Sequence, residues 1–234
     1  MTDGPNVGDI PIAGLYNDAT LSFIEFARTL TADEWATECP CTPGWTARDV
    51  LSHVSGVPDD GLAGRVDGAA TDPWTASQVE RNAHFGVEEL LERWLGQYEL
   101  FGAAIESMGE MRPPFDCHTH EHDVRHALGK PGNRDSGIVQ VGAARTMLWL
   151  AEIPVSVTID LDDGRQLMAG RSDSDEQVGV AIDRFEIFRS RLGRRTLEQV
   201  RAYPWTGSPV GIEMLIDGWF TFGPSDLPIH EPER

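Results

Sequence analysis

The first half of the chain alternates apolar and polar residues with the period of an α-helix. Between about residues 12 and 30, apolar side chains recur at the three- and four-residue intervals of an amphipathic helix: Ala19, Phe23, Phe26, Ala27 and Leu30. Residues 67–74 lack this period and predict a loop. Residues 75–108 regain it and predict one short helix followed by one long helix.

Local signals give the start of a helix after a turn-rich loop at residues 39–45. Thr46 with Asp49 three residues later resembles a capping box, in which each side chain binds a backbone N–H of the first turn. The helix that begins here carries His53 and is predicted to extend to about Arg65, with a bend where Pro58 removes a hydrogen bond.

A second helix is bounded by prolines and a glycine. Pro113 and Pro114 lie where a helix can begin, since the first turn does not need their missing N–H groups. The predicted helix continues to Leu128, and Gly129 is the residue type that most often ends one.

The second half of the chain mixes helix and strand signals after a linker at residues 130–137. Residues 155–159 alternate as a strand, and Asp163-Gly164 marks a tight turn into a second strand at 165–170. Helices are predicted near 138–151, at 178–192 and just after Thr196, and an irregular tail from Phe220. The chain is therefore predicted to be mainly α with a small α+β part, in two domains at 1–130 and 138–234.

The charge balance excludes some classes of function. The 234 residues include 38 acidic and 19 basic side chains, which gives a net charge of −19. Such a surface repels phosphate backbones and anionic lipids, so neither a nucleic acid nor a membrane is expected as a partner. The polar, acidic first residues do not resemble a signal peptide. Three cysteines, an odd number, fit a reduced protein, and we expect a cytoplasmic location.

Four of the seven histidines lie in one short segment, residues 116–126. On a helical wheel His120 falls on the apolar face and Asp116 on its edge, whereas His118, His122 and His126 fall on the opposite face. Two interpretations of the inward pair remain. Asp116 and His120 form a hydrogen bond with each other, or both bind a divalent cation that compensates for their burial.

A metal site needs a third protein ligand, and His53 is the best candidate. It lies at the border of the apolar face of its helix, where a histidine without a metal-binding role is also common. His84, in a predicted helix break, and His230, in the tail, are weaker candidates. The cysteines do not form the paired spacing of a closed zinc site. Three protein ligands leave a position open, as in catalytic sites.

Two segments resemble the DinB-like, mycothiol-dependent maleylpyruvate isomerase family. They are Cys41-Thr42-Pro43-Gly44-Trp45 through Asp49 to His53, and His120 through Gly129. The stretch from Phe185 to Gly207 resembles the C-terminal part of the family. This resemblance implies an N-terminal four-helix bundle that binds a divalent metal, usually zinc, and a smaller α/β C-terminal domain.

The resemblance also implies ligands and chemistry. The metal ligands correspond to His53, Asp116 and His120, although the family pattern has glutamate where this chain has Asp116. The implied activity uses a low-molecular-weight thiol, mycothiol or a similar one, as cosubstrate with an electrophilic or unsaturated acid. Arg48 or Arg125 could bind the substrate carboxylate, although Arg125 fits a surface salt bridge better.

Three hypotheses about function remain open at this stage. The first is a thiol-dependent S-transferase or isomerase that requires a metal. The second is a non-catalytic member of the same fold that binds a metal or a small ligand, which the aspartate at position 116 keeps open. The third is a pH-responsive histidine surface without a metal, which explains neither Asp116 nor His53.

Overall fold

The computed structural model describes residues 11–148, 150 and 152–232. These residues form two compact units. The first takes in the described residues up to Gly132 together with residues 231–232, and the second spans Asn133–His230. Among the described residues, no helix is long and apolar enough to cross a membrane.

The first unit is built from helices. Within its described residues they are α1 (Ile12–Ala27), α2 (Ala32–Trp35), α3 (Ala47–Leu62), α4 (Asp72–Asn82), α5 (Val87–Leu95), α6 (Tyr98–Met108) and α7 (Arg112–Leu128). Helix α1 packs against α6 and α7, and α3 packs against the same two helices. Helices α4 and α5 lie against α3, and α5 contributes Leu90, Leu91 and Trp94 to the core.

The core of the first unit is centred on Trp94, which is fully buried. Its indole ring meets Phe23 edge-on, with centroids 5.8 Å apart. The indole N–H donates a hydrogen bond of 3.0 Å to the hydroxyl of Tyr16. The polar atom of a large buried ring is thus satisfied, and the bond joins α5 to α1.

The long helix predicted within residues 75–108 is wrong, because the segment contains three helices. Helix α5 ends at Gly96, and α6 begins at Tyr98. Glycine is among the residues least favourable to a helix interior, and the backbone turns at this point. The predicted bounds of α7 agree with the structure, where Gly129 ends the helix at a left-handed φ of 61°.

The second unit combines helices with a four-stranded sheet. Its elements are α8 (Gly137–Leu148), β1 (Ser156–Asp160), β2 (Gln166–Gly170), β3 (Gln177–Ala181), α9 (Arg184–Arg191), α10 (Leu197–Arg201), β4 (Thr206–Gly207) and α11 (Pro209–Asp217). The strand order is β2-β1-β3-β4. The predicted hairpin is present, with β1 and β2 antiparallel and Thr158 opposite Met168.

The helix predicted at residues 178–192 is only half correct. Its first part is β3, which pairs in parallel with β1. Val178 and Val180 alternate with more exposed neighbours, the two-residue period of a strand, and the helix α9 begins only after its cap at Asp183. Strand β4 and helix α11 were not predicted. The fold class is nevertheless confirmed: helical in the first unit, and a smaller α/β second unit.

Candidate metal centre

The start of α3 is fixed by a reciprocal cap, as predicted. The Thr46 hydroxyl accepts from the backbone N–H of Asp49, and an Asp49 carboxylate oxygen accepts from the backbone N–H of Thr46 at 2.9 Å. The preceding loop is held by Cys39, whose N–H donates to the carbonyl of Trp45 at 2.8 Å. These bonds set the phase of α3, so that His53 turns inward and is 2% exposed.

The structure brings together the three residues predicted as metal ligands. The ligand atoms of His53, Asp116 and His120 all lie within 4.8 Å of one another. Nε2 of His53 is 3.3 Å from Oδ2 of Asp116, and Nε2 of His120 is 3.4 Å from Oδ1. Helix α3 supplies the first residue, and one helical turn of α7 supplies the other two.

The other ring nitrogen of His53 is occupied. Its Nδ1 lies 2.6 Å from Oε1 of Gln78, on α4. The amide nitrogen of Gln78 donates to Oδ2 of Asp60 at 2.8 Å. An ionised carboxylate only accepts hydrogen bonds, so the amide nitrogen must face Asp60 and the amide oxygen must face His53. Nδ1 therefore donates to Gln78, which leaves Nε2 as the nitrogen that can bind a metal.

The Nδ1 atom of His120, like that of His53, faces a polar side chain outside the ligand cluster. Its Nδ1 lies 3.0 Å from Oδ2 of Asp123, a fully buried carboxylate one turn along α7. The negative charge of this carboxylate favours a proton on Nδ1. When a cation takes the place of a proton on Nε2, the Nε2 atoms of both imidazoles and the carboxylate of Asp116 converge as three ligand atoms.

Three converging acceptors fit a cation. Metal–ligand distances of about 2.0–2.1 Å in a tetrahedral zinc site place neighbouring ligand atoms about 3.3–3.4 Å apart. The two separations between Nε2 and carboxylate oxygen, 3.3 and 3.4 Å, agree with this spacing. Carboxylate and imidazole are ligands that suit zinc. The residues present thus meet the requirements of a divalent metal site.

The electrostatic field at the centre favours positive charge. Burial lowers the pKa of His120, but the charges of Asp116 and Asp123 and the hydrogen bonds to them outweigh burial and raise it to about 9. Burial also acts to raise the pKa of Asp116, yet the charges of His53 and His120 hold it well below its usual range. Asp116 is therefore ionised at neutral pH and available as a ligand.

Solvent reaches the centre on one side. The side chain of Asp116 is 37% exposed, against 3% for His53 and 10% for His120. Two half-buried indoles lie beside the histidines: the ring centroid of Trp45 is 5.4 Å from that of His53, and Trp74 is 6.3 Å from it. The centre is thus open to solvent at Asp116 and flanked by apolar rings at His53.

Residues 17–126 match the family model of the mycothiol maleylpyruvate isomerase N-terminal domain. This segment belongs to that domain family. The matched residues of the mycothiol maleylpyruvate isomerase N-terminal domain include His53, Asp116 and His120, so the resemblance inferred from two short segments is confirmed. The crystal structure of a mutant of the mycothiol-dependent maleylpyruvate isomerase is similar at a TM-score of 0.49 and 13% identity, covering 80% of this chain and 90% of that chain. No curated protein matches the chain significantly in sequence.

The outward face predicted for α7 of this domain is wrong. His118 and His122 are 0% and 1% exposed, and their rings lie 4.7 Å apart; His126 is half-buried. Every residue from Cys117 to Val124 is buried, more than two helical turns. A wheel with one buried face cannot describe a helix that is enclosed on all sides. His118 and His122 are not part of the ligand cluster found among the described residues.

Arg48 does not face the metal centre as a substrate-binding group. Its guanidinium donates to the backbone carbonyls of Asn82, Ala83 and Phe85, at 2.7–3.1 Å. It therefore stabilises the end of α4, where helix carbonyls lack intrahelical partners.

Arg125 has the salt bridge predicted for it, although in a more buried setting. Its Nε lies 2.7 Å from Oε1 of Glu121, which is fully buried. The guanidinium also lies over the ring of Phe26, at 3.9 Å. Neither arginine is placed by these contacts to bind a substrate carboxylate.

The remaining candidate residues do not belong to the ligand cluster found in the described part of the chain. His84 is exposed, in the segment between α4 and α5, and His230 is exposed in the tail. Cys39, Cys41 and Cys117 form no disulfide with one another. Cys117 packs in the core as predicted, and Cys39 is buried too. Burial, with nearby negative charge, raises the pKa of Cys39 to about 12, so it remains a thiol.

Sequence reasoning missed Gln78, Asp60 and Asp123, which contact the candidate ligands directly or through one another. For Asp123 the signal was present, since a carboxylate three residues after His120 shares its face of the helix. Asp60 follows His53 by seven residues and also shares its face. Gln78 had no signal, because its position depends on how α4 packs against α3.

Gly56 allows this packing, and its replacement by alanine is expected to disturb it. A β-carbon at Gly56 would lie 2.9 Å from Cβ of Gln78 and 3.2 Å from the amide nitrogen of Asn82. We expect Gly56→Ala to destabilise the protein by about 1–3 kcal/mol, measured by urea denaturation. Gly14→Ala is the matched control: its β-carbon would meet nothing within 4 Å, so it should be neutral or stabilising. Equal stability of the two variants would contradict the expectation.

Proposed function

We propose that this protein is a divalent-metal-dependent enzyme that uses a low-molecular-weight thiol, mycothiol or a similar one. Its reaction is S-transfer or thiol-dependent isomerisation. The observation that carries the proposal is the convergence of Nε2 of His53, Nε2 of His120 and the Asp116 carboxylate, each within 4.8 Å of the others. Membership of residues 17–126 in a domain family named for mycothiol and maleylpyruvate isomerase supports the choice of cosubstrate.

The chain supplies three ligands, which leaves room for a further one. Zinc held by His53, Asp116 and His120 would favour the thiolate form of a bound thiol at neutral pH. Asp116 is the most exposed of the three, so we place the thiol on its side of the centre. Three protein ligands and an open position distinguish catalytic from structural zinc sites.

The residues around the centre would hold the cation and limit the access of water to it. The negative field that raises the pKa of His120 would hold a cation, and the buried carboxylate of Asp123 favours a proton on Nδ1, so that Nε2 is the nitrogen left for the metal. The rings of Trp45 and Trp74 give the approach an apolar wall, which limits water near the reacting sulfur.

The same thiolate could carry out either of two reactions, isomerisation or S-transfer. In isomerisation, the sulfur adds to an activated double bond of an unsaturated acid, the resulting single bond rotates, and the sulfur leaves with its electron pair as the double bond re-forms. In transfer, the sulfur stays on the electrophile and the leaving group departs with the electron pair. The substrate decides between them, since both need only an activated thiolate.

Turnover is expected to require metal. Purified protein incubated with mycothiol and maleylpyruvate, or with a chloronitrobenzene, should isomerise the first or consume thiol with the second, and dialysis against a chelator should remove the activity until zinc is restored. Turnover is followed by absorbance and by titration of free thiol. Bound zinc without turnover of any electrophile would instead identify a non-catalytic, metal-binding member. Turnover unaffected by complete metal removal would contradict the proposed role of the centre.

A further inference from the structure

A chain of buried hydrogen bonds leads from His53 away from the metal centre. Gln78 and Asp60 are 0% and 1% exposed. Asp60 accepts from Arg81 at 2.6 and 2.7 Å and from Arg65 at 2.7 Å, in addition to the bond from Gln78. The two guanidinium groups are about half exposed, so their charged ends reach water while the carboxylate does not.

Each hydrogen bond in this series determines which group donates and which accepts in the next one. Asp60 accepts charge-assisted hydrogen bonds from two arginines. Because Asp60 accepts only, the amide of Gln78 has a single permitted orientation, with Oε1 towards His53. That oxygen accepts only, so the His53 proton resides on Nδ1. A neutral imidazole has one donor and one acceptor nitrogen, and the lone pair is left on Nε2, which faces Asp116 at 3.3 Å.

We propose that Gln78 and Asp60 are positioning residues that hold His53 in the tautomer and orientation needed to bind metal through Nε2. The inference rests on the proposed metal centre. Partners of this kind typically change metal affinity by about 10–100-fold when removed. Asp60 acts without touching the ligand, since only Gln78 lies between them.

Two substitutions test the chain at different links. Gln78→Leu removes the acceptor for Nδ1 of His53 and keeps a side chain of similar size. Asp60→Asn keeps the shape but supplies an amide that can also donate, so the orientation of Gln78 is no longer fixed. Both variants are expected to bind zinc about 10–100-fold more weakly than the parent in competition with a chromophoric chelator.

Asn82→Ala is the matched control. Asn82 is buried on α4, the helix that carries Gln78. Its amide nitrogen donates to the carbonyl of Ser52 on α3 at 2.7 Å. In the described structure, no hydrogen bond links it to His53 or Gln78. It should reduce stability and leave zinc affinity within about twofold of the parent. If Asn82→Ala weakens zinc binding as much as the other two, α4 acts only by general packing and the inference fails.

A spectroscopic measurement separates positioning from stability. In the zinc-loaded parent, long-range proton–nitrogen NMR spectra should show His53 with a protonated, slowly exchanging Nδ1 and a metal-bound Nε2. Gln78→Leu should speed exchange of that proton. Zinc bound through Nδ1, or unchanged affinity in both variants, overturns the inference while the metal centre stands. A parent that binds no zinc overturns the metal centre and this inference with it.

Discussion

Replacing His120 with alanine is expected to lower the affinity of the protein for zinc at least about 100-fold, a larger loss than that for a hydrogen-bond partner of a ligand. The change removes one of three converging acceptors and leaves two, His53 and Asp116. It also leaves the carboxylate of Asp123, which is fully buried, without the ring that lies 3.0 Å away. Zinc content after dialysis and competition titration give the affinity.

His84→Ala is the control for this experiment, because His84 is exposed and lies outside the ligand cluster. It should bind zinc as the parent does. His53→Ala should behave as His120→Ala, since each contributes one Nε2 atom. Circular dichroism of the metal-free proteins establishes that the variants are folded. If both histidine variants retain the parent's zinc affinity, the assignment of the site is wrong.

Replacing Trp94 with alanine is expected to lower the free energy of unfolding of the first unit by about 3–5 kcal/mol. The indole is fully buried against Phe23, and its loss leaves a large cavity between α1 and α5. The Tyr16 hydroxyl, also buried, loses the donor that now lies 3.0 Å away. Amide hydrogen exchange of α1 and α3 reports the stability of this unit separately.

Two further variants serve as references for the loss of stability expected in Trp94→Ala. Leu100→Ala, at a side chain that is 66% exposed on α6, should change stability by less than about 0.5 kcal/mol. Trp94→Phe should fall between the two, because it fills part of the cavity but donates no hydrogen bond. A loss in Trp94→Ala no larger than that in Leu100→Ala would show that the core does not depend on this ring.

Much of the candidate site could be predicted because its signals are local. Asp116 and His120 are four residues apart, and a helix places such residues on one face whatever surrounds it. The cap formed by Thr46 and Asp49 is confirmed in the structure, and it sets which way His53 points. Family resemblance then joined two segments that are more than sixty residues apart in the sequence.

Prediction failed where burial depends on distant segments. The wheel assigned His118 and His122 to an exposed face, but α7 is buried over all of its sides between Cys117 and Val124. Residues 178–181 were predicted to begin an amphipathic helix that extends to residue 192, yet pairing with β1 makes them a strand. Short apolar runs fit either structure, and a neighbouring strand decides between them.

The sequence by itself determined the helix bounds at Thr46 and Gly129, the shared face of Asp116 and His120, and the family of residues 17–126. The helix bounds and the shared face arise from bonds and spacings within one or two helical turns. Only the tertiary structure decided that Gln78 meets His53 and that Asp60 orients Gln78. Those contacts exist because α4 packs closely on α3 at Gly56, and such packing is a property of two surfaces that neither segment specifies alone.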